Sequence, residues 1–489
     1  MVKKKNMRFP SEALKEIANR NRKGKSKKTA RLFSSPKIEK LKKKARKYSI
    51  KEGIFTSAKN SFGDYYVSPF AIAINSSSSV VAMISAFSGL LGPISQMFGS
   101  RLPEKYPRKK IVLRSIFFES LIWLPFIAIA ILFYSGILLE SLPILVLFSF
   151  SLYTIAGNLG YPAWFSWMGD IVENKHRGKY FSKRNLLMGF TSVVLAISAA
   201  FFLDYFGKNH HIMFGFAILF SLALLSRLTC WKILHKQYEP KIKLKKGYYF
   251  SFWDFLINSN KNNFGKFSLF RFFFTFTTAI SSPLLVVYLL RHLNFSYTAY
   301  MVIIFSGTIF SLIVLELWGK FADRYGNYRT LCISTLIIPF IPILWVLNSN
   351  IFYLIFIPSA LSGIAWAGIH LSETNFIYDN VSYQKRGLAI SYYNMFWGIG
   401  LFLGASLGAL LIKILDTNFI QPIILIFIIG ALARAASVIW GLPKIKEIKK
   451  TKKFTSSKAF KEIIMKEGAP TIHEEVNDII HIKKYLYLK

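Results

Sequence analysis

The sequence predicts an all-α membrane protein of about twelve transmembrane helices, arranged as two pseudo-symmetric six-helix halves. Apolar runs of bilayer length, the sidedness of the basic residues and an internal repeat carry that prediction. Hydrophobic residues make up 53% of the 489-residue chain, yet Lys and Arg number 63 against 24 Asp and Glu, a formal net charge of +39. A water-soluble protein of that charge would not be so apolar. Here the two properties are segregated. Apolar runs of roughly 20 residues, enough to cross a bilayer core at about 1.5 Å per residue, alternate with short basic clusters. Ile111 to Tyr134 is interrupted only by Arg114 and Glu119, and Ile351 to Leu371 contains no Asp, Glu, Lys or Arg.

In order, the expected spans are 53–75, 78–100, 111–136, 142–168, 183–206, 211–233, 267–290, 297–319, 329–348, 351–376, 387–414 and 419–441. Basic clusters fall in the N-terminal tail, at Arg101 to Arg114, Lys175 to Arg184, Lys232 to Lys266, Lys320 to Arg329, Lys385 and Arg386, and throughout the C-terminal tail. Twelve spans put all of them on one side. The positive-inside rule makes that side cytoplasmic, with both termini inside the cell membrane. The chain then divides into a basic tail (1–52), a six-helix half (53–233), a cytoplasmic linker (234–265), a second half (266–441) and a basic tail (442–489). The tails are expected to rest on anionic lipid, at about 1 kcal/mol per basic residue near the surface, rather than on nucleic acid. No apolar segment close behind the basic N-terminus reads as a cleaved signal peptide, so the first span is expected to serve as the insertion signal.

Cys230 and Cys332 offer neither a disulfide framework nor a metal-binding spacing. No Gly-x-x-x-x-Gly-Lys-Ser/Thr loop is present, which argues against a nucleotide-driven pump. No cofactor, metal or catalytic residue is expected, and the chain is not read as an enzyme.

The repeat is the most informative feature. Asp170, Val172, Arg177, Gly178, Ser182, Asn185 and Gly189 recur as Asp379, Val381, Arg386, Gly387, Ser391, Asn394 and Gly398, at one constant offset of 209 residues. Each copy joins the fourth and fifth spans of its half. Parallel repeats with a cavity between them suit a protein whose halves rock about a central site. Asp170 with Arg177 and Gly178, and Asp379 with Arg386 and Gly387, are expected to pair across their loops as gates or to anchor the topology.

The segment from Gly319 to Arg329, with Ala322, Asp323, Arg324 and Gly326 between, resembles the G-x-x-A-D-R-x-G-x-x-R signature of the major facilitator superfamily. It falls between the second and third spans of the second half, where that family carries it. The resemblance covers residues 53–441 and implies the facilitator fold, transport by alternating access, and a gating role for Gly319, Asp323, Arg324, Gly326 and Arg329. Gly319 is expected to let two helices approach closely. The first half departs from the signature: Gly99 to Lys110 has Glu104 in place of the aspartate and is interrupted by Pro103 and Pro107. The fourth span lacks an interior Arg and the fifth a Gly-Pro-x-x-Gly-Gly run, features of drug/proton antiporters.

Ionisable side chains within spans are costly, which makes each a functional candidate. Asp64, beside Asn60, Tyr65 and Tyr66 in the first span, can carry a proton or bind a cationic or hydroxylated solute, or simply pair with Lys59. Arg271 in the seventh span can hold an anionic group or pair with Asp64. His370 and Glu373, three apart on one helix face, can form a proton-responsive pair because imidazole titrates near neutrality. Glu119, Arg227, Arg434 and Glu316 read as structural. The expected function is a monomeric secondary transporter or facilitator of a small-molecule solute, with protons as a candidate coupling ion. A lipid-handling flippase or lipid enzyme, or a transporter-like receptor, is the alternative.

Overall fold

The computed structural model describes residues 36–172, 177–240, 252–381, 386–415 and 421–448. The first helix, α1, runs from Pro36 to Phe62 and resumes, after a tight turn at Asp64–Tyr66, as Val67–Ala73. Eleven further helices among the described residues are long and apolar enough to cross a membrane. They are α2 (Ser78–Gly99), α3 (Arg108–Tyr134), α4 (Leu142–Ile171), α5 (Arg177–Lys208), α6 (Ile212–His235), α7 (Asn263–His292), α8 (Tyr297–Tyr325), α9 (Asn327–Leu347), α10 (Ile351–Asn380), α11 (Arg386–Ile414) and α12 (Pro422–Gly441). Large apolar side chains point outward from them, Ile439 being 74% and Phe352 68% exposed. Such a surface suits lipid, and the chain is an integral membrane protein.

Two boundaries differ from expectation. Helix α1 begins at Pro36, so residues 36–52 of the expected N-terminal tail are helical, with Ala45, Ser49 and Glu52 buried. Residues 1–35, 241–251 and 449–489, which hold the rest of both tails and part of the linker, lie outside the described residues. Helix α8 continues to Tyr325, so Gly319, Asp323 and Arg324 sit on its last turns rather than in a loop. Gly326 ends the helix at φ 101°, a conformation that suits glycine and strains any residue bearing a Cβ.

The helices pack in a pattern that recurs six helices later. Helix α1 packs on α5 and α6, α2 on α4, and α3 on α4 and α6; α7 packs on α11 and α12, α8 on α10, and α9 on α10 and α12. Between the two groups, α2 meets α11 and α5 meets α8. Small residues make the closest approaches. A Cβ on Gly400, Gly404 or Gly408 of α11 would collide with the carbonyl oxygen of Phe272, Phe276 or Ile280 of α7, and one on Gly398 would strike the carbonyl of Gly89. Gly319, by contrast, has nothing within 4 Å of the place its Cβ would take, so it does not serve the close helix approach expected of it.

Replacing Gly404 by Val is expected to lower the melting temperature of the detergent-purified protein. The loss corresponds to about 1–3 kcal/mol or more, because the overlap is with backbone that cannot rotate away. Gly319→Ala should raise the melting temperature slightly, by the equivalent of roughly 0.5–1 kcal/mol, because the helix gains a Cβ that meets nothing.

Candidate functional site

A cavity of about 710 Å³ lies between the two groups of helices. Gln96 of α2, Thr154 and Asn158 of α4, Arg271 of α7, Trp366, His370 and Glu373 of α10, and Tyr393, Asn394 and Trp397 of α11 line it. The expected residues Arg271, His370 and Glu373 are thus brought together on its wall. Arg271 Nη1 lies 2.6 Å from Glu373 Oε1, and His370 Nδ1 lies 3.4 Å from Glu373 Oε2. The Arg271–Glu373 pair is nearly buried, whereas the His370 side chain is 63% exposed. Trp366 stacks on His370 at 5.3 Å between ring centres and lies 5.8 Å from the Arg271 guanidinium. Arg271 Nε makes no hydrogen bond, so one donor of this cluster is uncommitted. Opposite, Gln96 donates to the Asn158 carboxamide oxygen at 2.7 Å. Among the described residues no three His, Cys, Asp or Glu side chains gather as a metal-binding group.

Asp64 belongs to a different cluster. Lys59 Nζ lies 3.0 Å from Asp64 Oδ2 and 3.3 Å from Glu119 Oε1, and Tyr153 donates to Asp64 Oδ1 at 2.5 Å. Arg227 donates to Glu119 Oε2 through Nε and Nη2, at 2.9 and 2.5 Å, and to Thr56 at 3.2 Å. Thr56 donates to Glu52 at 2.7 Å, and Glu52 pairs with Arg184 at 3.0 Å. Three cations and three carboxylates therefore form one continuous, charge-balanced network joining α1, α3, α4, α5 and α6. Arg271 pairs with Glu373 and not with Asp64. Tyr66 is fully buried and donates to the Ala196 carbonyl at 2.6 Å. Tyr65 is exposed and meets Phe305 of α8 edge-on at 5.2 Å, and Asn60 is half-buried. Neither Asn60, Tyr65 nor Tyr66 lines the central cavity. Glu119 and Arg227, which read as structural in the sequence, are the centre of this network.

The repeated aspartates bind helix starts. Asp170 accepts from Arg108, the first residue of α3, at 2.5 Å; Asp379 accepts from Asn327, the first residue of α9, at 2.7 Å. The segments after α6 and α12 reach the same places. Glu239 lies 3.5 Å from Arg108, and Glu447 accepts from the Tyr328 backbone N–H at 2.8 Å. The Arg177 and Arg386 side chains lie outside the described part of the structure, and Gly178 and Gly387 share their first turns in α5 and α11. Within the signature segment, Arg329 donates to the Tyr325 carbonyl at 3.2 Å, and Asp323 is exposed.

At the opposite end of the bundle, three contacts join the two groups. The Asp204 carboxylate of α5 accepts from the backbone N–H groups of Tyr297 and Thr298, at 2.8 and 2.9 Å, and so caps α8. Arg291 donates to the Ser76 carbonyl at 2.8 Å, and Ser79 to the Ala409 carbonyl at 2.8 Å. An acidic residue closing an apolar span was the signal for Asp204, but nothing in sequence tells which helix it caps.

A bundle of this packing, with ionisable residues walling a cavity between two groups of helices, defines a polytopic membrane transport protein. The Major Facilitator Superfamily profile matches residues 54–255 and 267–476, and the chain belongs to that family. No curated protein sequence matches the chain. Solved structures that resemble it include a mutant form of the nucleoside transporter NupG, at TM-score 0.62 and 14% identity over 83% of this chain and 100% of that one. A bacterial homologue of the iron transporter ferroportin in its inward-facing state reaches 0.61 at 15% identity, over 82% and 98%. A structure described as a bacterial metal transporter reaches 0.57 at 14% identity, over 82% and 98%.

Arg227→Met is expected to cost about 3–5 kcal/mol, because it leaves the buried carboxylates one cation short. The double variant with Glu119→Gln restores the balance and should recover much of the loss. Thermal unfolding of the three proteins in detergent measures both effects.

Proposed function

We propose that this protein moves a small polar solute across the cytoplasmic membrane by alternating access, using the cavity walled by Arg271, His370 and Glu373. The observation that carries the reading is that cavity: both groups of helices line it, and it holds a carboxylate, a guanidinium and an imidazole in contact. Twelve spans, counting the polar α1, form two six-helix halves in this reading. The recurring helix neighbours and the matched bracing by Asp170 with Glu239 and by Asp379 with Glu447 support it. With both termini cytoplasmic, the contacts of Asp204, Arg291 and Ser79 lie on the outer side, and in this reading they hold the transporter inward-facing. Rocking would exchange that outer latch for contacts around the signature segment at the end of α8.

Carboxamides on one wall and tryptophans on the other suit a solute with a polar edge and a ring face. The likeness to a nucleoside transporter puts nucleosides first among solutes to test, and the likeness to metal transporters puts divalent cations next. Glu373, between His370 and Arg271, is the group on which a proton would compete with the ion pair.

The test is uptake into liposomes holding the purified protein, under an imposed pH gradient. The wild type should accumulate its solute with the proton gradient. Glu373→Gln should lose gradient-driven accumulation by about 10²-fold, an estimate from the usual effect of removing an essential proton-transfer group, while keeping equilibrative exchange. Unchanged accumulation in that variant would remove Glu373 from coupling. Asp204→Ala should raise the labelling of a cysteine placed at Ser79 by an impermeant reagent added outside, by loosening the outer latch.

A further inference from the structure

Every other buried Lys or Arg among the described residues has a carboxylate within 4.0 Å: Lys59, Arg108, Arg184, Arg227 and Arg271 all do. Arg434, 6% exposed in the middle of α12, has none. Its Nη2 donates to the Thr278 carbonyl at 3.0 Å and the Ser281 hydroxyl at 2.9 Å, and its Nη1 reaches the Ile338 carbonyl at 3.5 Å. Those contacts brace α7 just before it breaks at Pro283. They do not answer the charge. Carbonyl and hydroxyl dipoles solvate a cation only in part, and an uncompensated charge at this depth is costly.

The surroundings supply what a ligand needs. Arg434 faces a pocket of about 370 Å³, with Thr275, Thr278 and Ser281 on its wall and Trp345, Trp366 and Trp397 around it. Both Arg434 Nε and the buried Thr275 hydroxyl lack a hydrogen-bond partner. The volume exceeds a bare halide and matches the lower range of small-molecule sites. The pocket also shares Trp366 and Trp397 with the central cavity, so the two adjoin.

We propose that this pocket binds a small organic monocarboxylate, its carboxylate held by Arg434 with the Thr275 and Ser281 hydroxyls and its apolar body seated among the tryptophans. The site is separate from the Arg271–Glu373 pair, and its test does not depend on flux.

The experiment measures thermal unfolding of the full-length protein in detergent, with sodium benzoate titrated against sodium chloride at equal ionic strength and against benzyl alcohol. Benzoate should raise the melting temperature with a saturable dependence, and chloride and benzyl alcohol should not. Arg434→Gln should weaken the apparent Kd for benzoate by about tenfold or more, the loss expected for charge-assisted hydrogen bonds, and Arg434→Lys should retain part of the response. Should Arg434→Gln fail to fold, Thr275→Val removes only the uncommitted hydroxyl and should also weaken benzoate. A brace alone would destabilise the variants without changing their response to benzoate, which would overturn the proposal, as would no benzoate response in the wild type. Chloride as effective as benzoate would overturn the organic body of the ligand, and benzyl alcohol as effective would overturn the anion.

Discussion

In the N-terminal group of helices, Glu119 lies between Lys59 and Arg227, and that shared carboxylate determines how α1 can exist at membrane depth. A lone charge there is strongly disfavoured, whereas a closed set of opposite charges with hydrogen-bonded neighbours can be tolerated. Lys59 also needs Asp64, Asp64 takes the Tyr153 hydroxyl, and Arg227 passes through Thr56 and Glu52 to Arg184. The network holds five helices in register by a requirement more exacting than apolar packing, which tolerates sliding. Around it Trp123, Phe126, Phe220 and Phe70 fill the core with ring contacts near 5 Å. Among the described residues of the C-terminal group no buried charge network of that extent is seen. Its buried ion pair, Arg271 with Glu373, stands at a cavity wall, and its other deep cation, Arg434, has only dipoles. The two groups divide their labour electrostatically: one is rigidly neutralised, and the other keeps its charges where a solute can reach them.

Much of this architecture was legible in the sequence because lipid imposes simple rules. Spans α2 to α12 match the apolar runs to within about six residues at either end, since the length of a span is set by the bilayer and its ends by basic residues. Helix α1 was harder: its charged residues 36–52 look like a solvated tail, and only their tertiary partners, such as Arg184 for Glu52, show that one face is buried. The signature segment was recognised, but the end of α8 was placed early because Lys320, Asp323 and Arg324 read as loop, while the stop is Gly326.

The candidate site was partly legible for a related reason. His370 and Glu373 share a helix face, so their proximity follows from spacing alone, and Arg271 joins them because α7 and α10 meet in the fold. Asp64 attracted attention as an acid in a span, yet sequence could not show that Lys59, five residues earlier, and Tyr153, from a distant helix, already occupy its oxygens. Glu119, Arg227 and Arg434 look alike in sequence, each a single charge in an apolar run. Only the structure separates the first two, which neutralise each other, from the third, which has no counter-charge.

The seam between α2 and α11 has a mechanical consequence. At Gly398 the backbone of α11 touches that of α2 at Gly89, with Pro93 alongside and the Leu401 side chain laid over Gly89. Interdigitated side chains resist relative tilt because each must leave one rotameric well and find another. A backbone contact has no such wells, so the point of touch can serve as a pivot, with Leu401 and the Phe87–Phe402 ring contact as the side chains that must shift beside it. Resistance to tilting is then shared between those few side chains and the rim, where a contact can be as small as a carboxylate on two amide groups.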